Sequence, residues 1–171
     1  MTDFAALIRT VPDFPKPGIQ FKDITPLLQD PAAFRAVIQE FADRFADREI
    51  DCIAAIDARG FIFGGALAIH MDKGFVPIRK RGKLPYDTVE VEYDLEYGTD
   101  AVAVHEDALA GGNRVLLIDD VIATGGTLAA SIELIERIGG EIVGIGALAE
   151  LTFLNGRDKL GDHDIVALVE Y

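Results

Sequence analysis

The chain has 171 residues, half of them hydrophobic and 26% charged, with 17 glycines and 7 prolines. That profile excludes disordered, collagen-like and disulfide-rich classes and suits a single globular domain, residues 1–171. With 16 basic against 29 acidic residues the formal charge is −13, which keeps a protein soluble and weakens non-specific contact with nucleic acid. A chain of this length buries roughly 70% of the surface its unfolded form exposes, so its core needs no staple. The sole cysteine, Cys52, excludes an internal disulfide and a cysteine-based zinc site, and fits a reducing cytoplasm. The opening residues MTDFAALIRT lack the pattern of a signal peptide, and the apolar runs are too short to span a bilayer, so no membrane association is expected.

Residues 11–26, VPDFPKPGIQFKDITP, carry four prolines. Their helix prospects are poor, and they read as an extended arm or hood over the body. Asp30 and Pro31 start a helix, as N-cap and first-turn residue, which Phe34, Val37, Ile38, Phe41 and Phe45 continue at helical spacing. Residues 52–56 form a short apolar strand, followed by Asp57-Ala58-Arg59-Gly60 and a helical stretch to about Met71. Residues 74–78 read as a further strand. The next segment, IRKRGKL at 78–84, holds four positive charges in an acidic chain; it is either a solvated basic loop or an anion site. From Thr88 to Val104 the pattern changes. Val89, Val91, Tyr93 and Leu95 alternate with acids, which is the period of a half-exposed strand, and 101–104 looks like its return. An antiparallel hairpin inserted there, about 80–104 with its approach, is a flexible flap or an ornament. A purely aliphatic strand at 115–118, a helix at 127–138 ended by Gly139-Gly140, a strand at 141–148 and a last, edge strand at 165–169 complete the chain. Buried strands alternating with amphipathic helices specify an α/β fold, a doubly wound and mostly parallel sheet with right-handed crossovers.

The chemistry is concentrated in VLLIDDVIATGGT, residues 115–127. A buried strand ends in two carboxylates, then a glycine-rich turn leads into a helix N-terminus. Ligands of open α/β sheets bind at such strand ends. Backbone N–H groups of Ala123, Thr124, Gly125, Gly126 and Thr127, with the positive end of the following helix, can form an anion cradle, and the two threonine hydroxyls add donors. No lysine follows the glycines, so this is not a P-loop, and the dinucleotide fingerprint is also missing. Asp119 and Asp120 before the cradle suit hydroxyl groups, or water on a hard cation such as Mg²⁺. A phosphate with a vicinal diol beside it, a ribose 5-phosphate, satisfies both parts. Gly-Gly as a mere tight turn and Asp-Asp as a solvated strand end are the plainer alternatives.

On these residues the chain resembles the type I phosphoribosyltransferases, within them the adenine-using branch. FPKPGIQFKDITPLL, DARGFIFG, IRKRGKLP, DLEYGTD and VLLIDDVIATGGT occur in that branch's order and spacing, over residues 11–171. The resemblance implies transfer of a phosphoribosyl group from 5-phosphoribosyl-1-pyrophosphate to adenine, giving AMP and pyrophosphate with Mg²⁺, in purine salvage by a cytoplasmic homodimer. By the same resemblance, Ala123 to Thr127 hold the 5-phosphate, and Asp119 and Asp120 hold the ribose hydroxyls directly or through water. Mg²⁺ is bound through the substrate, with no direct protein ligand and water contacts to those two acids. Asp57, Ala58 and Arg59 match the pyrophosphate loop, in which a strained peptide turns a backbone amide to the leaving group. Arg79, Lys80 and Lys83 match basic residues near pyrophosphate, with reach across a dimer interface. Glu96, the expected catalytic residue, and Tyr97 match the flap that handles the purine's imidazole proton. Phe21 and Val121 match the two apolar faces around the base.

Two positions depart from the pattern: Lys22 stands where relatives commonly carry Arg, and Gln20 where an aliphatic is usual. A lysine does not replace an arginine fork, so both changes are tolerable only if backbone groups read the base. A phosphoribosyltransferase for another base would share VLLIDDVIATGGT without the hood and flap motifs. A regulator on the same fold needs a basic or helix-turn-helix surface for nucleic acid, which a charge of −13 disfavours.

Overall fold

The computed structural model describes residues 2–95 and 98–171. An N-terminal ribbon pairs β1 (Arg9–Pro12) with β2 (Gln20–Asp23) in antiparallel register, Arg9 opposite Asp23 and Pro12 opposite Gln20. Helices α1 (Thr25–Gln29) and α2 (Pro31–Arg44) follow. Then come β3 (Cys52–Ile56), α3 (Gly60–His70), β4 (Gly74–Lys80), β5 (Thr88–Leu95), β6 (Gly98–His105), β7 (Arg114–Ile122), α4 (Gly126–Arg137), β8 (Glu141–Glu150) and β9 (Ile165–Glu170). Seven strands form one sheet in the order β5-β6-β4-β3-β7-β8-β9. Strands β4, β3, β7, β8 and β9 run parallel; β5 and β6 are antiparallel. The doubly wound expectation holds, with β9 on the edge.

The parallel strands are continuous apolar runs because both of their faces are covered. All five residues of β3 are buried. Ala54, Ile56, Val115 and Leu117 join the core under α4, while Ile53, Ala55, Leu116 and Ile118 join the core under α2 and α3. Helix α3 lies against β3 so closely that a Cβ on Gly64 would sit 2.4 Å from the Ala55 Cβ. The hairpin of β5 and β6 is joined to the sheet by Arg79 opposite Ala103 and Lys80 opposite Val102, and its Val91, Val102 and Val104 are core beneath α4. Along this length it extends the sheet; Glu96 and Tyr97, at its turn, lie outside the described residues.

Several boundaries move from their expected places. The hood is a hairpin that begins at Arg9, before the proline-rich stretch, and Pro26 lies inside helix α1. A first-turn proline loses no helical hydrogen bond and its fixed φ suits the helix, while Asp23 Oδ1 accepts the Thr25 N–H at 3.0 Å. Strand β4 runs on to Lys80, β8 to Glu150, and β7 through both acids to Ile122. The start of α2 is as the sequence specifies. Asp30 Oδ1 accepts the N–H groups of Ala32 at 2.9 Å and Ala33 at 3.1 Å, with Pro31 in the first turn. Asp30→Ala is therefore expected to cost about 1 kcal/mol, a fall of about 2–4 °C in melting temperature for a chain of this size, measured by thermal unfolding.

Candidate active site

The chain leaves β3 through α3 to reach β4 on one side, and leaves β7 through α4 to reach β8 on the other. The two helices cover opposite faces, so a crevice opens where β3 and β7 part. Pairing of β7 with β3 ends at Ile118 opposite Ala55, whereas β8 accompanies β7 as far as Ile122 opposite Glu150. Asp119 and Asp120 are thus held in strand geometry by β8 while their other edge faces the crevice. They are not a loose strand end.

A cavity of about 580 Å³ fills the crevice. From the sequence-derived residues it gathers Phe21 and Lys22 on β2, Ala58 and Arg59 after β3, Lys80 at the end of β4, and Asp119, Asp120, Val121, Ala123 and Thr127. An adjoining cavity of about 70 Å³ is lined by Asp119, Val121 and the run Ala123, Thr124, Gly125, Gly126, Thr127 and Leu128. Arg79 and Lys83 line neither of these cavities. Glu96 and Tyr97 are outside the described residues. Sequence reasoning did not single out Tyr93, Asp100 and Leu151, which also line the larger cavity. Tyr93 and Asp100 face each other across the hairpin register, and Tyr93 had been legible only as one member of an alternating strand.

The two glycines of the turn differ in kind. Gly125 has φ +76°, and a Cβ there would lie 2.2 Å from the Gly156 carbonyl oxygen, so the turn itself requires it. A Cβ on Gly126 would meet only Tyr93 Cδ2 at 3.6 Å and the Asp94 carbonyl at 3.8 Å, ordinary contacts. The fold itself therefore leaves room for a side chain at Gly126. Gly60, at the start of α3, brings that helix against β7, since its Cβ would lie 3.0 Å from Asp119 Oδ1 and 3.1 Å from the Ile118 carbonyl. The peptide between Asp57 and Ala58, just before it, is cis.

The basic segment is less free than its sequence suggests. Arg79 Nε donates to Asp57 Oδ2 at 2.8 Å and its Nη1 to the Lys83 carbonyl at 3.0 Å. Lys80 Nζ pairs with Asp100 Oδ2 at 2.6 Å, and Arg81 with Glu90 and Glu92 at 2.5 and 2.9 Å. Of the three basic residues expected near a leaving group, Lys80 alone reaches the cavity. Lys22 donates to Thr10 Oγ1 at 3.0 Å with its ammonium 3.7 Å from the centre of the Tyr171 ring, so it braces the hood from behind.

Arg59 connects three parts of the site. Its Nε lies 2.6 Å from Asp120 Oδ2, and its guanidinium carbon 5.2 Å from the centre of the Phe21 ring. The Asp120 contact is an ion pair without hydrogen-bond geometry, and that oxygen is buried with no hydrogen-bond partner among the described residues. Burial pushes the carboxyls of both Asp119 and Asp120 up, Asp119 well above the ordinary range because the Asp120 charge adds to the effect; Arg59 acts against burial at Asp120. Asp119 Oδ1 accepts the Asp120 N–H at 2.8 Å, a bond that asparagine can keep. With the folded-state pKa of Asp119 above its unfolded value, its charge destabilises the fold at neutral pH, and the cost disappears once both states are protonated. Asp119→Asn is expected to melt higher than the parent near neutral pH, with the gap closing towards about pH 4. Thermal melts across pH measure it; a lower melting temperature at neutral pH would contradict it.

Residues 23–167 match the family model described as phosphoribosyl transferase domain. The chain is 58% identical over 163 residues to the adenine phosphoribosyltransferase of Maridesulfovibrio salexigens, covering 95% of this chain and 96% of that one. The crystal structure of adenine phosphoribosyltransferase from Thermoanaerobacter pseudethanolicus superposes with a TM-score of 0.95 at 51% identity, over 99% of this chain and 98% of that one. The Saccharomyces cerevisiae enzyme, complexed with an imino-altritol bisphosphate and adenine, superposes with a TM-score of 0.92 at 36% identity, over 97% and 96%. With its two acids and its glycine turn at the switch point of the sheet, the chain belongs to the phosphoribosyltransferase family, as a member of its adenine phosphoribosyltransferase branch.

Proposed function

We propose that the protein is a purine salvage enzyme that transfers the 5-phosphoribosyl group of 5-phosphoribosyl-1-pyrophosphate to adenine, releasing pyrophosphate and forming AMP. The observation that carries this reading is that one crevice and its adjoining cavity are lined together by the glycine turn, two carboxylates, Arg59 with Lys80, and residues of the hood. The yeast relative's complex with a bisphosphate and adenine supports the same pair of ligand classes, a phosphorylated sugar analogue and adenine.

In this reading the amides of residues 123–127 and the Thr124 and Thr127 hydroxyls hold the 5-phosphate, and Asp119 and Asp120 hold the vicinal ribose hydroxyls. The bond from the anomeric carbon to the pyrophosphate oxygen breaks, the bond to the adenine nitrogen forms, and the electron pair leaves with pyrophosphate. Positive charge growing on the sugar is met by the acid pair, and negative charge on the leaving group by the Ala58 region, Arg59 and Lys80. Arg79 and Lys83 are outside the cavity of a single chain, and their part in holding pyrophosphate belongs to a homodimer. Helix α3 supports such a dimer: it is apolar on all sides, with Ile69 85% exposed and Ile62 also exposed, beside exposed Phe75 on β4. Adenine lies between Phe21 and Val121, Glu96 accepts its imidazole proton, and Tyr97 closes over the site with the flap.

The donor set fits Mg²⁺ brought in on the substrate. In this reading Asp119 and Asp120, which line the cavity, would hold the ion through water. When bound, the ion neutralises charge on the departing pyrophosphate. No helix of the described residues is long and apolar enough to cross a membrane.

Adenine presents an amino donor beside a ring acceptor, whereas oxopurines reverse both. A backbone carbonyl and N–H from the strip Ile19 to Lys22, which lines the cavity, can pair with the adenine edge alone. Lys22 is engaged with Thr10 and Tyr171, so its departure from arginine leaves this pairing intact. Competing-base kinetics is expected to give adenine a kcat/KM at least ~10³ above hypoxanthine and guanine; comparable use of an oxopurine would overturn the adenine assignment. For the cradle, Gly126→Ala is expected to keep the parent melting temperature while weakening AMP about 10- to 100-fold in calorimetry, the loss of one or two charge-assisted hydrogen bonds. Parent-like AMP affinity would remove the 5-phosphate from that turn.

A further inference from the structure

After β8 the chain makes two short 3-10 turns, Thr152–Leu154 and Gly156–Lys159, separated by Asn155 at φ 51°. Gly156 is buried there, directly behind the cradle. A Cβ on Gly156 would lie 2.3 Å from the Ala123 carbonyl oxygen and 3.1 Å from the Gly125 nitrogen. From the other side, a Cβ on Gly125 would lie 2.2 Å from the Gly156 carbonyl oxygen. The two backbones are interlocked, each occupying the space a side chain of the other would need. Gly156 has no left-handed φ to explain it, unlike Gly125; close approach alone accounts for a glycine at that position.

The next residue anchors this contact. Arg157 Nε lies 2.8 Å from both carboxylate oxygens of Glu150, and its Nη2 lies 2.6 Å from Glu150 Oε2. Arg157 Nη1 also donates to the Ile165 carbonyl on β9 at 3.3 Å. The Glu150 side chain is only 5% exposed, at the end of β8 opposite Ile122, the last residue of β7. Neither member of the pair lines the substrate cavities. A buried ion pair is a poor source of net stability, because desolvation offsets most of the attraction, but its fork geometry fixes direction.

We infer that Gly156 and the Glu150–Arg157 pair are positioning residues for the 5-phosphate cradle: the pair holds the 156–159 turn, and the Gly156 backbone sets the height of the Ala123–Thr124 peptide and of the Gly125 amide. The inference rests on the reading of the cradle as the 5-phosphate site. A displacement of the amides by a fraction of an ångström weakens several phosphate hydrogen bonds together, whereas the hood and its base contacts are on another element. The loss therefore falls on the phosphorylated substrate and spares adenine.

The test compares the parent protein with Arg157→Lys, Arg157→Met and Gly156→Ala, using ribose 5-phosphate in calorimetry and initial rates with both substrates varied. Arg157→Met is expected to raise the KM for 5-phosphoribosyl-1-pyrophosphate, and the Kd for ribose 5-phosphate, at least ~10-fold, with the adenine KM within about twofold, in line with the cost of small misplacements at a site. Arg157→Lys, which keeps the charge and loses the fork, should fall between. Gly156→Ala should match or exceed Arg157→Met; if it does not fold, the two Arg157 variants decide. Folded variants with parent-like affinity for the phosphorylated substrate would overturn the inference, as would equal losses for both substrates accompanied by a lower melting temperature. A parent protein that neither binds ribose 5-phosphate nor turns over 5-phosphoribosyl-1-pyrophosphate would bring down the cradle reading itself, and this inference with it.

Discussion

Everything at the site depends on where two parallel strands stop sharing hydrogen bonds. Strand β7 loses β3 after Ile118 but keeps β8 to Ile122. For the length of that one-sided pairing the backbone is held by a neighbour and still open to a ligand. Two carboxylates can be fixed there without being sealed in, and the turn that follows starts from a rigid support. Winding the helices onto opposite faces then clears the space above. Gly60 on one side and Gly125 on the other bring a helix N-terminus up to the same crevice, since both positions are too close to a neighbouring backbone or carboxylate for a side chain.

The electrostatics follow from that geometry. Adjacent buried acids resist ionisation, and Arg59 is the cation that offsets the cost at Asp120. Two further cations of this region already have a carboxylate: Arg79, outside the cavity, has Asp57, and Lys80, within it, has Asp100. The lysine at position 22 belongs to a different task, bracing the hood against Thr10 and the Tyr171 ring.

The elements that were legible along the chain are those whose local chemistry and tertiary role agree. Asp30-Pro31 caps α2 with its own side chain, the aliphatic runs of β3 and β7 become strands covered on both faces, and Gly139-Gly140 ends α4. Pro26 was misleading because the penalty for proline in a helix disappears in the first turn. Strand ends were short by two to four residues at β4, β7 and β8 because polar residues such as Asp119 and Glu150 enter strands when a partner strand continues beside them.

The sequence by itself determined the fold class, the acid pair followed by the glycine turn, and the hood and hairpin as separate devices, because each is written in contiguous residues with a fixed local periodicity or spacing. Only the tertiary structure decided which members of those motifs meet. It brought Lys80 into the cavity and left Arg79 and Lys83 outside, added Tyr93, Asp100 and Leu151, and separated Gly125, which the fold requires, from Gly126, where the fold leaves room for a side chain. It also set Gly156 behind the cradle and Glu150 under Arg157. The approach of Gly156 to Gly125 joins backbones about 30 residues apart, and no periodicity, propensity or charge count along one segment carries information about a distance to another.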